Sequence, residues 1–315
     1  MSDPALGPGL AALLGALQGV AEFLPISSSG HLALAERWFG VDPAAAGHSF
    51  NIVVHAGTLV AVLLFYREDL RALLRAVFQR RQVPIRHAPH PPAVPEEPLA
   101  LAEDLIDGPG PRPAPPLDVV PNRVGPPINT ARALLLALIV ATLPLALALT
   151  DPVEAAVLAA EGSTHTIGAG FLVTAALLAF SHRRSGAAGL EAPRPWQGLI
   201  IGLAQLVAIL PGISRSGSTM AAAMALGLGR LPAARFSFLL SIPAILGASA
   251  KEGLDLWRHG AGEAIDPAAF ALGFAVSFAV GSLTLRALMQ LLVRVGLLPF
   301  VPYLLVLGLL VVGLS

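Results

Sequence analysis

The chain has 315 residues, 55% of them hydrophobic and only 13% charged, with a mean hydropathy of +0.73, an apolar share that excludes a soluble globular domain. Lysine plus arginine number 20 and aspartate plus glutamate 20, so no bulk positive field marks the chain for nucleic acid. Cysteine is absent, which excludes disulfides, thiolate nucleophiles and cysteine-ligated metals.

What remains is a membrane protein that crosses the bilayer several times. Asp3 and the lack of a basic n-region argue against a cleavable signal peptide, so the first apolar stretch is expected to be retained. That stretch, about 8–24, is shorter than the ~20 residues a crossing needs, and it runs into Pro25 and a polar run, Glu22-Phe-Leu-Pro-Ile-Ser-Ser-Ser-Gly-His31. A short helix follows. The spacing predicts a re-entrant helical hairpin, whose non-helical tip is tolerated at membrane depth only where protein or a wet cavity receives it.

Gln18 and Glu22 share one helical face. A carboxylate beside an amide oxygen suits Mg²⁺ or Ca²⁺, which prefer oxygen donors and bridge to phosphate; a hydrogen-bonded packing pair is the plain alternative. Because an acid in lipid is costly, function is favoured for Glu22. Among Ser27, Ser28 and Ser29, one is expected to cap the next helix. The others, with Gly30 allowing close approach, make an anion site at a helix N-terminus. Ser28 or Ser29 can serve as a nucleophile, with His31 as the acid or base candidate.

Six apolar segments of spanning length are expected near 49–66, 131–150, 164–181, 236–251, 268–291 and 298–314. His55, in the first, reads equally as a cavity group or as a packing contact between helices. Arginines 67, 71, 75, 80, 81 and 86 follow that span, and arginines 183, 184 and 194 follow the third, placing both segments in the cytoplasm. Residues 82–130 are rich in proline and are read as a largely disordered cytoplasmic loop, in which His87 and His90 lack a metal-ligand spacing. The loop at 151–162 carries Asp151, Glu154 and Glu161 without a basic residue, and 252–266 is mostly acidic, so both face outward with the two termini. Arg235 reads as a positive-inside anchor, and Lys251-Glu252 as a charge pair at the membrane boundary.

A second short apolar segment, 196–210, runs into Pro211-Gly-Ile-Ser-Arg-Ser-Gly-Ser-Thr219. Leu17-Gln18 through Gly30 aligns with Ala204-Gln205 through Gly217, and Ser49-Phe50 echoes Ser237-Phe238. The expected architecture is therefore an all-α polytopic membrane protein: six transmembrane helices plus two re-entrant hairpins, in inverted repeats over about 8–181 and 196–314 within one integral domain. The hairpins enter from opposite faces and meet tip to tip. Ser214, Ser216, Gly217 and Thr219 repeat the polar tip of the first hairpin, and Arg215 adds a planar donor fork matched to phosphate oxygens. An acid, an arginine, a histidine, hydroxyls and two helix N-termini at membrane depth fit phosphoryl transfer from a lipid-borne phosphate, where positioning and charge neutralisation do most of the catalysis. No Walker loop is present, which argues against nucleotide hydrolysis.

At these two motifs the chain resembles the undecaprenyl-diphosphate phosphatase family, also called the bacitracin-resistance protein family. The resemblance rests on Gln18-Gly-Val-Ala-Glu22 continuing to His31 and on Pro211 to Thr219, and it covers nearly the whole chain except 82–130, which is longer and richer in proline than is usual in the family. It implies a multi-pass enzyme of the bacterial plasma membrane, its site facing the periplasm, that hydrolyses undecaprenyl diphosphate to the monophosphate carrier lipid reused in peptidoglycan synthesis and so confers bacitracin resistance. By the same resemblance, Glu22 with Gln18 would engage a divalent cation and the diphosphate, Ser28 would attack, Arg215 would clamp phosphate, and His31 would move a proton or attack itself. Ser27, Ser29, Ser214, Ser216 and Thr219 would supply hydrogen bonds, with Gly30 and Gly217 beside the substrate. The partners expected are the diphosphate lipid, surrounding membrane lipid and a second copy in a homodimer, with no nucleic acid. The rival readings are a polyprenyl-phosphate flippase, motivated by the inverted repeats, and a non-catalytic lipid-binding scaffold.

Overall fold

The computed structural model describes residues 6–41, 48–78, 126–184, 190–259 and 266–314. All but the last five residues of the loop at 82–130 lie outside the described residues, as do arginines 80, 81 and 86. The described chain is helical: α1 Pro8–Ala21, α2 Ser28–Phe39, α3 His48–Phe65, α4 Arg67–Phe78, α5 Ile128–Thr142, α6 Asp151–Glu161, α7 Thr164–Arg184, α8 Pro195–Val207, α9 Arg215–Ala225, α10 Arg230–His259, α11 Pro267–Arg294 and α12 Phe300–Gly313. A 3₁₀ segment, Leu143–Leu149, prolongs α5, and the β pairing among the described residues is one isolated bridge between Leu190 and Leu228.

Four of these elements are long and apolar enough to cross a membrane, Ile128–Leu149, Thr164–His182, Arg230–Leu254 and Pro267–Arg294. The pair α3 and α4, bent by 73°, makes a fifth if counted as one span. The sequence pattern anticipates six. The last of them, 298–314, is realised as α12, only 14 residues long and about 21 Å at 1.5 Å per residue, short of a ~30 Å hydrocarbon core. Its start is delayed because the chain turns through Gly296, at φ +75°, before reaching Pro299.

The two short apolar helices α1 and α8 begin alike, with proline at their first position. Each is followed by a break and a helix whose first turn is capped by serine: the Ser27 hydroxyl accepts from the Gly30 amide and the Ser214 hydroxyl from the Gly217 amide. Packing between the halves is reciprocal. Helix α1 lies along α11 while α8 lies along α5, and α3 meets α10 as α7 meets α12. Small residues permit this closeness: a Cβ on Gly15 would sit 2.6 Å from the Gly273 carbonyl oxygen, and one on Gly202 would sit 2.3 Å from that of Ala141.

Two charged side chains find partners that sequence reading did not assign. Arg235, expected as an anchor at the membrane surface, forms an ion pair with the largely buried Asp69, tying α10 to α4 just beyond the bend. The 73° bend between α3 and α4 after Tyr66 brings Asp69 to it. Lys251, expected to pair with the adjacent Glu252, reaches Glu154 of α6 at 2.8 Å.

The glycine contacts yield a test. Gly202→Ala drives a methyl into the rigid Ala141 backbone and is expected to destabilise the protein by about 1–3 kcal/mol. Gly9→Ala, which meets no atom within 4 Å, is expected to leave the thermal midpoint in detergent unchanged or raised.

Candidate functional site

The site grows from the two helix breaks. Helix α1 ends because Pro25 lacks an N–H and clashes with the preceding turn, which leaves Glu22 at the helix C-cap, 7% exposed. The chain reverses through Ser27, at φ +72° the one non-glycine residue with positive φ among the described residues, and re-enters a helix at Ser28. In the second hairpin Gly212, at φ +85°, makes the turn, and Arg215 opens α9. Each hairpin therefore presents the first residue of a helix to the same place.

Glu22 is where they meet. Ser28 donates its hydroxyl to Glu22 Oε2 at 2.7 Å, and Gln18 donates Nε2 to the same oxygen at 3.1 Å. The Arg215 guanidinium forms an ion pair with the other oxygen, Oε1, and its Nη1 is buried without a hydrogen-bond partner. His55 of α3 brings Nε2 to 3.8 Å from Oε2. Its Nδ1 lies 2.7 Å from the Asn51 carbonyl, which only accepts, so Nδ1 carries the proton and Nε2 is left facing the acid.

These groups border a cavity of about 640 Å³. Its polar walls include Glu22, Ser28, Asn51, His55 and Arg215, with Glu36, Arg37, Glu161 and Glu252 also lining it, and its apolar walls include Leu32, Ile52, Leu158 and Ile245. Arg37, at its edge, donates to Thr164 Oγ1 at 2.6 Å and to the Glu161 carbonyl, pinning α2 to the turn between α6 and α7.

Of the residues expected at the site, Glu22, Ser27, Ser28, Ser29 and Arg215 come together on one wall. The others are placed behind it. Gln18 is fully buried and supports Glu22 from the helix side. His31 is 8% exposed and turned away from the cavity, with Nδ1 2.7 Å from the Ser27 carbonyl and Nε2 2.6 Å from the Tyr303 hydroxyl. Ser214 accepts from the Gly217 amide at 3.1 Å, Ser216 donates to the Leu24 carbonyl at 3.2 Å across the two hairpins, and Thr219 shares a 2.6 Å hydrogen bond with Ser237. Gly30 packs under the Phe171 ring, where a Cβ would be 2.9 Å away, and a Cβ on Gly217 would lie 3.2 Å from Pro25.

The sequence leaves His55 open between a cavity group and a packing contact and does not single out Asn51. The available signal was two polar residues one helical turn apart in an apolar helix, which periodicity cannot distinguish from a packing contact. Tyr303 carried no local signal. No group of three or more His, Asp or Glu side chains is gathered as a metal-ligand set among the described residues. Oxygen donors for a hard cation do exist there: Glu22, and the Asn51 Oδ1 and Gln18 Oε1 atoms, both buried without hydrogen-bond partners.

The model of the family described as bacitracin resistance protein BacA matches residues 11–310. Among relatives named undecaprenyl-diphosphatase, that of Methanosphaera stadtmanae is 34% identical over 311 residues, covering 97% of each chain. That of Alcanivorax borkumensis is 38% identical over 302 residues, 95% of each chain, and that of Rubrobacter xylanophilus 35% identical over 310 residues, 96% of this chain and 97% of its own.

The Glu22–Arg215 contact predicts a stability asymmetry. Arg215→Met strands a buried carboxylate and is expected to cost about 3–5 kcal/mol, whereas Arg215→Met combined with Glu22→Gln is expected to recover a large part of it. Thermal midpoints of the purified variants in detergent provide the measurement.

Proposed function

The chain belongs to the bacitracin resistance protein BacA family, and from that membership and the geometry of its site we propose that it is an undecaprenyl-diphosphatase. It hydrolyses undecaprenyl diphosphate to undecaprenyl phosphate and inorganic phosphate, returning the carrier lipid to peptidoglycan synthesis and conferring bacitracin resistance. The observation that carries this reading is a serine hydroxyl hydrogen-bonded to a buried acid beside an arginine, on the wall of a cavity lined by both polar and apolar side chains. The names of the relatives favour hydrolysis over lipid transport, and a non-catalytic scaffold has no use for such a constellation.

Ser28 attacks the terminal phosphorus, and its proton passes to Glu22 2.7 Å away. The bond from that phosphorus to the bridging oxygen breaks, and undecaprenyl phosphate leaves with the proton. Water then attacks the phosphoserine while Glu22 takes its proton, the bond from phosphorus to the Ser28 oxygen breaks, and Glu22 returns the proton to that oxygen as inorganic phosphate departs. Arg215 stabilises charge on the equatorial oxygens, and its unpartnered Nη1 offers a donor for one of them. His55 Nε2 faces Glu22 from 3.8 Å, whereas both nitrogens of His31 are already engaged, which favours Ser28 over His31 as the attacking group.

A divalent cation, Mg²⁺ or Ca²⁺, would be held by Glu22 and the Asn51 amide oxygen, with Gln18 behind them, and would neutralise part of the diphosphate charge. The cavity is walled partly by Val157 and Leu158 of α6 and by Ala248 and Glu252 near the far end of α10. Those segments belong to the acidic loops that the arginine distribution assigns to the outer side, which supports a site open to the periplasmic face of the plasma membrane. The finer architecture follows the same logic: α1–α2 and α8–α9 dip in as re-entrant hairpins and the remaining six apolar segments span, the short α12 by local thinning of the bilayer. The reciprocal packing of α1 on α11 and of α8 on α5 supports the inverted repeat.

The test is phosphate release from undecaprenyl diphosphate by purified protein. Wild type is expected to be active and to lose activity with chelator, Glu22→Gln to fall by about 10²–10⁴-fold, and Arg215→Ala by about 10²–10³-fold. Ser28→Ala is expected to form no phosphoenzyme. Wild-type protein that released no phosphate yet moved lipid phosphate across vesicles would overturn the reading in favour of a transporter.

A further inference from the structure

One chain of contacts, running from the buried Ser27 through the buried His31 to the partly exposed Tyr303, touches the catalytic turn without taking part in the proposed chemistry. Its centre is Ser27, whose φ of +72° and ψ of +96° are an unfavourable conformation for a residue with a β-carbon and must be held by its surroundings. Its own cap is weak, the Gly30 amide standing 3.4 Å from its hydroxyl, and its carbonyl accepts from the His31 amide at 3.2 Å. The shortest contact to that residue's backbone comes from a ring, His31 Nδ1 at 2.7 Å from the same carbonyl.

A carbonyl only accepts, so Nδ1 carries the proton, and in the neutral ring Nε2 accepts from the Tyr303 hydroxyl at 2.6 Å. The imidazole is also packed edge-on against Phe171, centroids 5.0 Å apart. Both nitrogens are thus spent, and the ring lies off the cavity wall on which Ser27 and Ser28 stand. The second hairpin provides the contrast. There the positive φ falls on Gly212, the cap Ser214 has an ordinary φ of −72°, and the position matching His31 is Ser218, with no ring. The strut exists only where a non-glycine residue is held at positive φ.

From this we infer that Tyr303 of α12 is a positioning residue for the reaction: through His31 it holds the Ser27 turn that presents the Ser28 hydroxyl to Glu22. The inference rests on the phosphatase reading. It makes His31 a strut rather than a proton carrier, and it gives the last helix of the second half a part in aiming the nucleophile of the first.

The experiment measures kcat and KM for undecaprenyl diphosphate in Tyr303→Phe, His31→Asn, His31→Ala and Tyr303→Phe combined with His31→Ala. Tyr303→Phe keeps the ring and its packing and loses one hydrogen bond, so kcat is expected to fall about 2- to 10-fold with KM unchanged. His31→Asn retains a donor near the Nδ1 position and is expected to keep more activity than His31→Ala. In the His31→Ala background, Tyr303→Phe is expected to cost nothing further, because it acts only through the ring. A wild-type kcat in Tyr303→Phe, a cost that multiplies with that of His31→Ala, or a His31→Asn as inactive as His31→Ala would each overturn the inference. Tyr303→Phe decides the matter even if His31→Ala fails to fold. Phosphate release by wild type alongside an indifferent Tyr303→Phe refutes the positioning role alone; no release by wild type refutes the phosphatase reading and the inference together.

Discussion

The contact between Glu22 and Arg215 is the constraint around which the rest is arranged. Removing a carboxylate and a guanidinium from water costs several kcal/mol for each ion, and mutual attraction offsets that only with good geometry and further hydrogen bonds. The further bonds are present: Ser28 and Gln18 both donate to the carboxylate oxygen that Arg215 leaves free. An acid so satisfied is anchored, yet every partner on the cavity side is a group that a phosphate can engage in its place. The same arrangement therefore satisfies the buried acid in the resting protein and gathers the donors that the proposed phosphoryl transfer calls on.

Bringing those two residues together requires both hairpin tips to reach one depth, and the helix packing enforces this. Apolar burial gives little drive for helix association in lipid, because the surrounding tails are as apolar as leucine; close van der Waals packing has to do it. Gly15 against Gly273 and Gly202 against Ala141 let the short helices lie almost backbone to backbone on their long neighbours. Ser216, bonded to the Leu24 carbonyl, stitches one tip directly to the other. Leucines and valines remain exposed on the outer faces, Leu309, Leu310 and Val306 of α12 among them.

Much of this was legible before any coordinates. Pro25 and Pro211 after short apolar runs, each followed by a serine cap, announce broken helices in an apolar chain, and the structure has both breaks where the sequence puts them. Glu22, Ser28 and Arg215 stood out because polar groups are costly there. His31 stood out for the same reason but is turned to Ser27 and Tyr303, since the site side of that helical turn is taken by Ser28 and Ser29. His55 and Arg235 went the other way. His55, which the pattern leaves open between cavity and packing contact, faces the acid, and Arg235 has a local partner in Asp69 that the pattern does not name.

Sequence by itself determined the all-helical membrane class, the two breaks, and the inventory of acid, hydroxyl and guanidinium that they carry, because each is set by neighbours within one or two helical turns. Tertiary structure alone decided which of those groups meet. Glu22 and Arg215 are 193 residues apart, and His31 and Tyr303 are 272 apart. Helical periodicity tells which residues share a face, but not which helix that face will meet. That choice is made by the packing of whole helices, whose small-residue contacts bring distant polar side chains into register.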